Sequence, residues 1–337
     1  MPDANLPLSP PAVMLRDLHV SFTMPGKQIN AVNGVDLLLR QGEVVALIGE
    51  SGSGKSVTLR AIMRLLDERG TCMSGTLSVN GKDVLGMSSR ALAAMRGKDV
   101  AMVFQEPLLA LDPAYTIGNQ IAETIRRHER ITARDAAARA LALFEKVCIP
   151  SPQRRLAAYP HELSGGMRQR AMIALALACH PKVLLADEPT TALDATVQIQ
   201  ILLLLRELQR DLGLSVIFVT HDIAAAVEVA DRIAVMYAGR IVEEGSTRAL
   251  ISAPRHPYTI ALLNSRRHAA EQRGTRLETI GGAPPDLAAL PPGCAFAARC
   301  SRATDDCRAA QPLAFDVEPD HRVRCIHTGM TAATARI

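Results

Sequence analysis

The chain has no tryptophan and few aromatic rings of any kind, six Phe and four Tyr among 337 residues. So sparse a set offers no series of stacking platforms for a single-stranded nucleic acid or a sugar chain, and a nucleotide base would have to be held by one or two rings. A strong charge of either sign is missing too: Lys plus Arg number 38 and Asp plus Glu 34, for a formal net charge of +4. That balance argues against a surface gripping polyphosphate along its length, and no nucleic-acid partner is expected. Long apolar runs are lacking. Ala171 to Cys179 and Ile201 to Leu205 are among the longest, well short of the ~20 residues a membrane helix needs. The opening MPDANLPLSPPAV has no charged start followed by an apolar run and a small-residue cleavage site, so secretion is not expected and a cytoplasmic location is. No internal repeat is visible.

What is present reads as globular, with 48% apolar and 21% charged residues. At roughly 150 residues per domain the length suggests about two domains. The seven cysteines are unevenly spread: Cys72, Cys148 and Cys179 are scattered, whereas Cys294, Cys300, Cys307 and Cys325 crowd near the end. Four short apolar runs stop at polar residues: Val44 to Ile48 before a Gly/Ser-rich loop, Val100 to Phe104 before Gln105, Val183 to Ala186 before Asp187, and Ser215 to Val219 before Thr220-His221. Such runs predict buried strands of a mostly parallel sheet, whose ligands sit at the strands' carboxyl ends. Helical patterns open at Lys55 and after Gly165, and cover about 132 to 148 and Val197 to Asp211. The 132 to 148 pattern starts on a Thr132/Asp135 cap and sets Leu141, Phe144 and Val147 on one face. Ile233 to Tyr237 and Arg240 to Glu243, joined at Ala238-Gly239, read as a hairpin. Beyond about 250 the texture turns to proline pairs and a charged stretch from Arg266 to Arg276.

Gly49-Glu50-Ser51-Gly52-Ser53-Gly54-Lys55-Ser56 fits G-x-x-x-x-G-K-[ST] between a strand and a helix pattern. Its glycines let backbone amides turn towards β- and γ-phosphates, Lys55 adds a cation, Ser56 offers a hydroxyl to Mg²⁺, and Val57 follows in the same nucleotide-binding set. The strand ending Asp187-Glu188 would hold Mg²⁺ through Asp187 and polarise the attacking water through Glu188. A nucleoside triphosphate is the implied ligand.

Leu163-Ser164-Gly165-Gly166-Met167-Arg168-Gln169-Arg170 resembles the signature of ATP-binding cassette (ABC) proteins. The resemblance implies an α/β P-loop domain over 12–255 with an antiparallel β subdomain and a helical subdomain at about 106–165. Ser164, Gly165 and Gly166 would face the γ-phosphate held by a second subunit. Gln105 becomes the Q-loop, contacting Mg²⁺ or water, Asp194 closes the D-loop, and His221 is the switch histidine that works with Glu188. Phe22 stands where the family stacks an aromatic on adenine.

Residues 256–330 extend the resemblance. Arg255-His256-Pro257-Tyr258-Thr259, Gly281-Gly282-Ala283-Pro284-Pro285, Pro291-Pro292-Gly293-Cys294-Ala295-Phe296 and Arg299-Cys300 look like the C-terminal extension of oligopeptide/dipeptide permease ATP-binding subunits. The implication is a bacterial importer ATPase on the cytoplasmic face of the inner membrane. Its partners would be two transmembrane permease subunits, a second ATPase subunit or a second copy of this chain, and, indirectly, a substrate-binding protein. Nickel chelates or another small solute are the alternative cargo, and a soluble ABC ATPase acting on nucleic acid is the competing class. The tail cysteines are spaced C-x5-C-x6-C-x17-C. Four thiolates can hold Zn²⁺ or an iron–sulfur cluster. The tight chelating pairs usual for zinc are lacking, and the [4Fe-4S] cluster is the one the resemblance associates with this extension.

Overall fold

The computed structural model describes residues 10–191, 193–271 and 280–328. Residues 1–9, Ala192 of the D-loop, part of the charged stretch ending at Arg276 and the last residues of the extension lie outside them.

Two sheets organise the described residues. The first runs β2-β1-β4-β5, built from β1 (Val13–Met24), β2 (Lys27–Leu39), β4 (Thr71–Val79) and β5 (Lys82–Asp83), all antiparallel. The second has eight strands in the order β11-β12-β10-β9-β3-β8-β7-β6. They are β3 (Val44–Ile48), β6 (Val100–Val103), β7 (Val183–Asp187), β8 (Ser215–Thr220), β9 (Arg232–Tyr237), β10 (Arg240–Ser246), β11 (Phe315–Glu318) and β12 (His321–Val323). Strands β9, β3, β8, β7 and β6 are parallel, and β10, β12 and β11 add antiparallel strands at one edge.

The central strands are buried throughout and mostly apolar because both their faces are covered. In β3, Val44, Ala46 and Ile48 join the core beneath the helices, while Val45 and Leu47 join the core shared with the antiparallel sheet. The same alternation in β8 sends Val216 and Phe218 one way and Ile217 and Val219 the other. The hairpin turn at Ala238-Gly239 has φ of 47° and 80°, the doubly positive pair that matches the strand twist.

Between β6 and β7 lies a helical block, chiefly Ile117–His128, Ala133–Lys146 and Gly165–Ala176. The Thr132 cap forms as expected, its Oγ1 accepting from the Asp135 amide at 3.2 Å and donating to Asp135 Oδ2 at 2.7 Å. Of the anticipated face, Phe144 and Val147 are buried as expected, with Ala136, Ala140 and Leu143 beside them, while Leu141 is only half-buried. Ala136, Ala140, Leu143, Phe144 and Val147 follow the 3.6-residue period, which puts Leu143 and not Leu141 on the buried stripe.

The composition change near residue 255 coincides with no break in the packing. Strand β12 pairs with β10, the Arg324 amide donates to the Val242 carbonyl, and the fully buried Glu243 carboxylate accepts from the amides of Arg255 and His256 and meets His321 Nε2 at 2.8 Å.

Candidate functional site

The loop between β3 and the helix Lys55–Ile62 lies at the carboxyl edge of the parallel strands. Two glycines there are dictated by geometry. A Cβ on Gly49 would stand 2.1 Å from the Met236 carbonyl, and one on Gly54, at φ +102°, 2.4 Å from the Ala31 carbonyl. Lys55, nearly buried, donates from Nζ to the carbonyls of Gly49 and Glu50, each at 2.9 Å. Burial pulls its pKa below the ordinary lysine value against the opposing charges of Glu188, Asp187 and Glu50. Ser53 Oγ is buried and has no hydrogen-bond partner, an unsatisfied group that a phosphate oxygen would meet.

Ser56 Oγ donates to Asp187 Oδ1 at 2.8 Å, so the helix start and the end of β7 share one polar point. Burial raises the Asp187 carboxyl above its usual range, with the Ser56 hydrogen bond opposing that shift. One residue on, Glu188 has φ 45°. Its Oε2 accepts from Thr191 Oγ1 at 3.0 Å and lies 3.1 Å from His221 Nδ1. Paired hard oxygens at Ser56 and Asp187 suit Mg²⁺, which prefers one or two carboxylates together with water and phosphate oxygens.

These residues open on a cavity of about 730 Å³. Ser51, Gly52, Gly54, Lys55, Ser56 and Val57 form its floor, Gln105, Glu188, Thr191 and His221 one side, and Phe22, Ile29, Ala31 and Leu287 an apolar side. Gln105 stands two residues beyond the end of β6 rather than at the strand's last position. Phe22, on β1, is half-buried and packs on the core shared by the two sheets. Leu287 was not foreseen: it comes from the extension, and its carbonyl accepts from the Asn30 amide at 3.0 Å. Thr191, in the turn after β7, is the other addition. Neither has a local signal, since each joins the site through a contact distant in sequence or through the strand-end turn.

Ser164, Gly165, Gly166 and Asp194 are not among the described residues lining this cavity. Ser164 caps the helix Gly165–Ala176 and Asp194 caps Ala195–Leu212. The two starts are adjacent, for a Cβ on Gly166 would stand 2.7 Å from Val197 Cγ1. Ser164, Gly165 and Asp194 are exposed.

Cys294, Cys300, Cys307 and Cys325 line a second, small cavity together with His256, Phe296 and His327. Cys307 Sγ is 3.3 Å from His327 Nε2 and 3.4 Å from Thr304 Oγ1. Burial pushes the Cys325 thiol up to about 11, with the other three cysteines adding to the shift and the His327 amide opposing it. The soft donors suit a thiophilic centre. Their side chains do not form a coordination shell, for no group of three or more His, Cys, Asp or Glu among the described residues is arranged to hold a metal ion. The four cysteines share one cavity, but nothing in their arrangement supports the iron–sulfur expectation.

Comparison with known proteins adds independent weight. Residues 32–191 match the ABC transporter family and 242–307 the oligopeptide/dipeptide transporter C-terminal region. A protein of Brucella melitensis biotype 1, provisionally named a peptide import ATP-binding protein, is 48% identical over 334 residues, covering 96% of this chain and 99% of its own. The oligopeptide transport ATP-binding protein OppD of Bacillus subtilis is 46% identical over 311 residues, 92% of this chain and 87% of that protein. Among solved structures, the dimeric structure of MJ0796, described as a bacterial ABC transporter cassette, aligns with a TM-score of 0.63 at 30% identity, over 70% of this chain and 99% of that one. No described helix is long and apolar enough to cross a membrane. Near-complete coverage by such relatives, together with a phosphate loop, an Asp-Glu strand end and a histidine converging on one cavity, makes this chain a member of the oligopeptide/dipeptide family of ABC transporter ATP-binding proteins.

Proposed function

We propose that the chain is the ATP-hydrolysing subunit of a bacterial importer for short peptides, working at the cytoplasmic face of the membrane through two permease subunits. The observation that carries the reading is the cavity in which Lys55, Ser56, Glu188 and His221 meet, with Asp187 bonded to Ser56. Lys55 and the loop amides hold the β- and γ-phosphates, and Phe22, Ile29, Ala31 and Leu287 cover the base. Ser56, Asp187 and Gln105 would hold Mg²⁺, which neutralises charge on the phosphates. Glu188 takes a proton from the attacking water at a carboxylate oxygen, while His221 and Thr191 fix that carboxylate's direction.

The exposed Ser164 and Gly165 of the signature and the exposed Asp194 support a head-to-tail pair, in which each cassette's signature closes on its partner's phosphate loop. A dimeric cassette among the structural relatives is in keeping with this. Peptide cargo is supported by the names of the relatives and by the match of the extension. The four tail cysteines, which share one cavity without forming a metal-holding group, would have to draw together to hold a [4Fe-4S] cluster or, as the alternative, zinc; either would supply positive charge to buried thiolates and order a loop-rich segment. Iron, labile-sulfide and zinc analysis of protein purified without air tests that assignment, and protein free of all three would end it.

The test of the whole reading is co-purification with the permease subunits, followed by ATPase assays with a panel of loaded binding proteins. Stimulation by peptide-loaded binding protein is expected. Stimulation by a nickel-chelate carrier alone would transfer the assignment to that cargo.

A further inference from the structure

The loop that holds phosphates in the reading above is gripped from behind by the extension. Arg299, in the Phe296-Ala297-Ala298-Arg299-Cys300 stretch, has a side chain only 5% exposed. Every N–H of its guanidinium has an acceptor. Nη1 donates to Glu50 Oε2 at 2.7 Å and to the Tyr237 hydroxyl at 3.2 Å. Nη2 donates to Glu50 Oε1 at 3.0 Å and to the Ile280 carbonyl at 3.1 Å. Nε donates to the Gly281 carbonyl at 2.8 Å. The rings of Tyr237 and Phe296 each lie with centroids 5.8 Å from its Cζ. A guanidinium so completely engaged has one orientation, and its fork matches a carboxylate at two points.

The carboxylate it holds belongs to Glu50, the second residue of the phosphate loop. The Glu50 amide is held as well, donating to the Tyr258 hydroxyl at 2.8 Å. Both the main chain and the side chain of the loop's first turn are therefore tied to residues outside the loop, at Tyr258, Arg299 and Tyr237. An acid at this place would otherwise work against the site. Glu50 is close enough to act on the Lys55 ammonium, and an unpaired carboxylate there would repel a triphosphate and compete for its lysine.

We propose that Arg299 is a positioning residue for the nucleotide site: it neutralises Glu50 and fixes the first turn of the phosphate loop, so that the loop is set for phosphate before the nucleotide arrives. The extension is then a working part of the ATPase. This rests on the reading of Gly49 to Ser56 as a nucleoside-triphosphate site, and the experiment separates the two.

The full-length chain is titrated with a fluorescent ATP analogue and Mg²⁺, and kcat and KM are measured in the complex with its permease subunits, for wild type, Arg299→Met, Arg299→Lys, Glu50→Gln, the Glu50→Gln/Arg299→Met double variant and Lys55→Ala. Arg299→Met should weaken binding about tenfold or more and raise KM more than it lowers kcat, because it strands a partly buried carboxylate. Glu50→Gln should recover most of that loss in the double variant, since no unpaired charge remains. Arg299→Lys, which keeps the charge and loses the fork, should fall between. A purely architectural Arg299 predicts losses that Glu50→Gln leaves unrelieved, and that outcome, or wild-type affinity in folded Arg299→Met, overturns the proposal. Should Arg299→Met not fold, the same KM-selective defect and its relief by Glu50→Gln are read in Arg299→Lys. If wild type binds no ATP, the nucleotide-site reading itself falls; if wild type binds and Lys55→Ala does not, while Arg299→Met matches wild type, only the role of Arg299 falls.

Discussion

Glu188 Oε2 lies 3.1 Å from His221 Nδ1, a contact that joins the ends of two neighbouring strands, β7 and β8. Between strands in parallel register, residues one or two beyond the last paired position face the same crevice. Here that crevice is the cavity lined by the phosphate loop. Glu188 reaches it with a positive φ, a backbone state that costs energy in a non-glycine residue and marks a position held by its surroundings.

Replacing Glu188 by Gln tests the proton-accepting role. The amide can still meet Thr191 and His221 but cannot take a proton from water. Hydrolysis should fall about a hundredfold or more, while ATP binding persists and closed dimers accumulate. Single-turnover hydrolysis and size-exclusion chromatography with ATP read both effects. Near-wild-type turnover in the assembled complex would remove Glu188 from the proton path.

Leu287→Ala should weaken ATP binding about tenfold, roughly 1.4 kcal/mol, by opening the apolar side of the cavity. The hydrogen bond from Asn30 goes to the Leu287 main chain, so the segment's course survives the substitution. Affinity for ATP compared with inorganic triphosphate separates the parts: only ATP should lose. Equal losses for both ligands would mean that Leu287 acts on the loop and not on the base.

Gly54→Ala should cost more stability than an ordinary loop substitution. A Cβ there meets backbone, the Ala31 carbonyl at 2.4 Å, at a φ of +102°, and strain of this kind costs on the order of 1–3 kcal/mol. Both the thermal midpoint and ATP affinity should drop. A variant that melts and binds like wild type would show that the loop can turn to take a side chain.

Much of the cassette was legible in the sequence because its signals are local. The phosphate loop, the Asp187-Glu188 strand end, the Thr132 cap and the Ala238-Gly239 turn each occupy a few consecutive residues whose chemistry admits one local structure. What was not legible depends on contacts between distant segments. Leu287 carries no pattern of its own, and the Arg299-Cys300 motif does not name its partner; the two matter through Asn30 and Glu50. The extension looked like an appendage for the same reason. Its strands β11 and β12 are short and half-polar, and only pairing with β10 gives them a place.

The weld between extension and cassette should carry a distinctive pH dependence through His256. Its ring is fully buried, Nδ1 accepts from the Tyr258 amide at 3.0 Å, and burial lowers its pKa from 6.5 to about 4, the nearby Glu243 only partly opposing. The folded protein therefore keeps this imidazole neutral at a pH where the unfolded chain would protonate it. Above about pH 6.5 both states hold the neutral ring and His256 contributes no slope. As pH falls from 6.5 towards 4 the unfolded chain takes up a proton that the folded one does not, and stability is lost. Below about 4 both are protonated and the loss levels off, at a total on the order of 3 kcal/mol. His256→Asn offers the Tyr258 amide a side-chain oxygen without a titrating ring, so its urea midpoint should fall less steeply than that of wild type between pH 6.5 and 4. The carboxylates are common to both proteins and cancel in the difference. Parallel curves would show that His256 takes up its proton in the folded state, and the packing between Glu243 and Phe296 would then have to admit a cation.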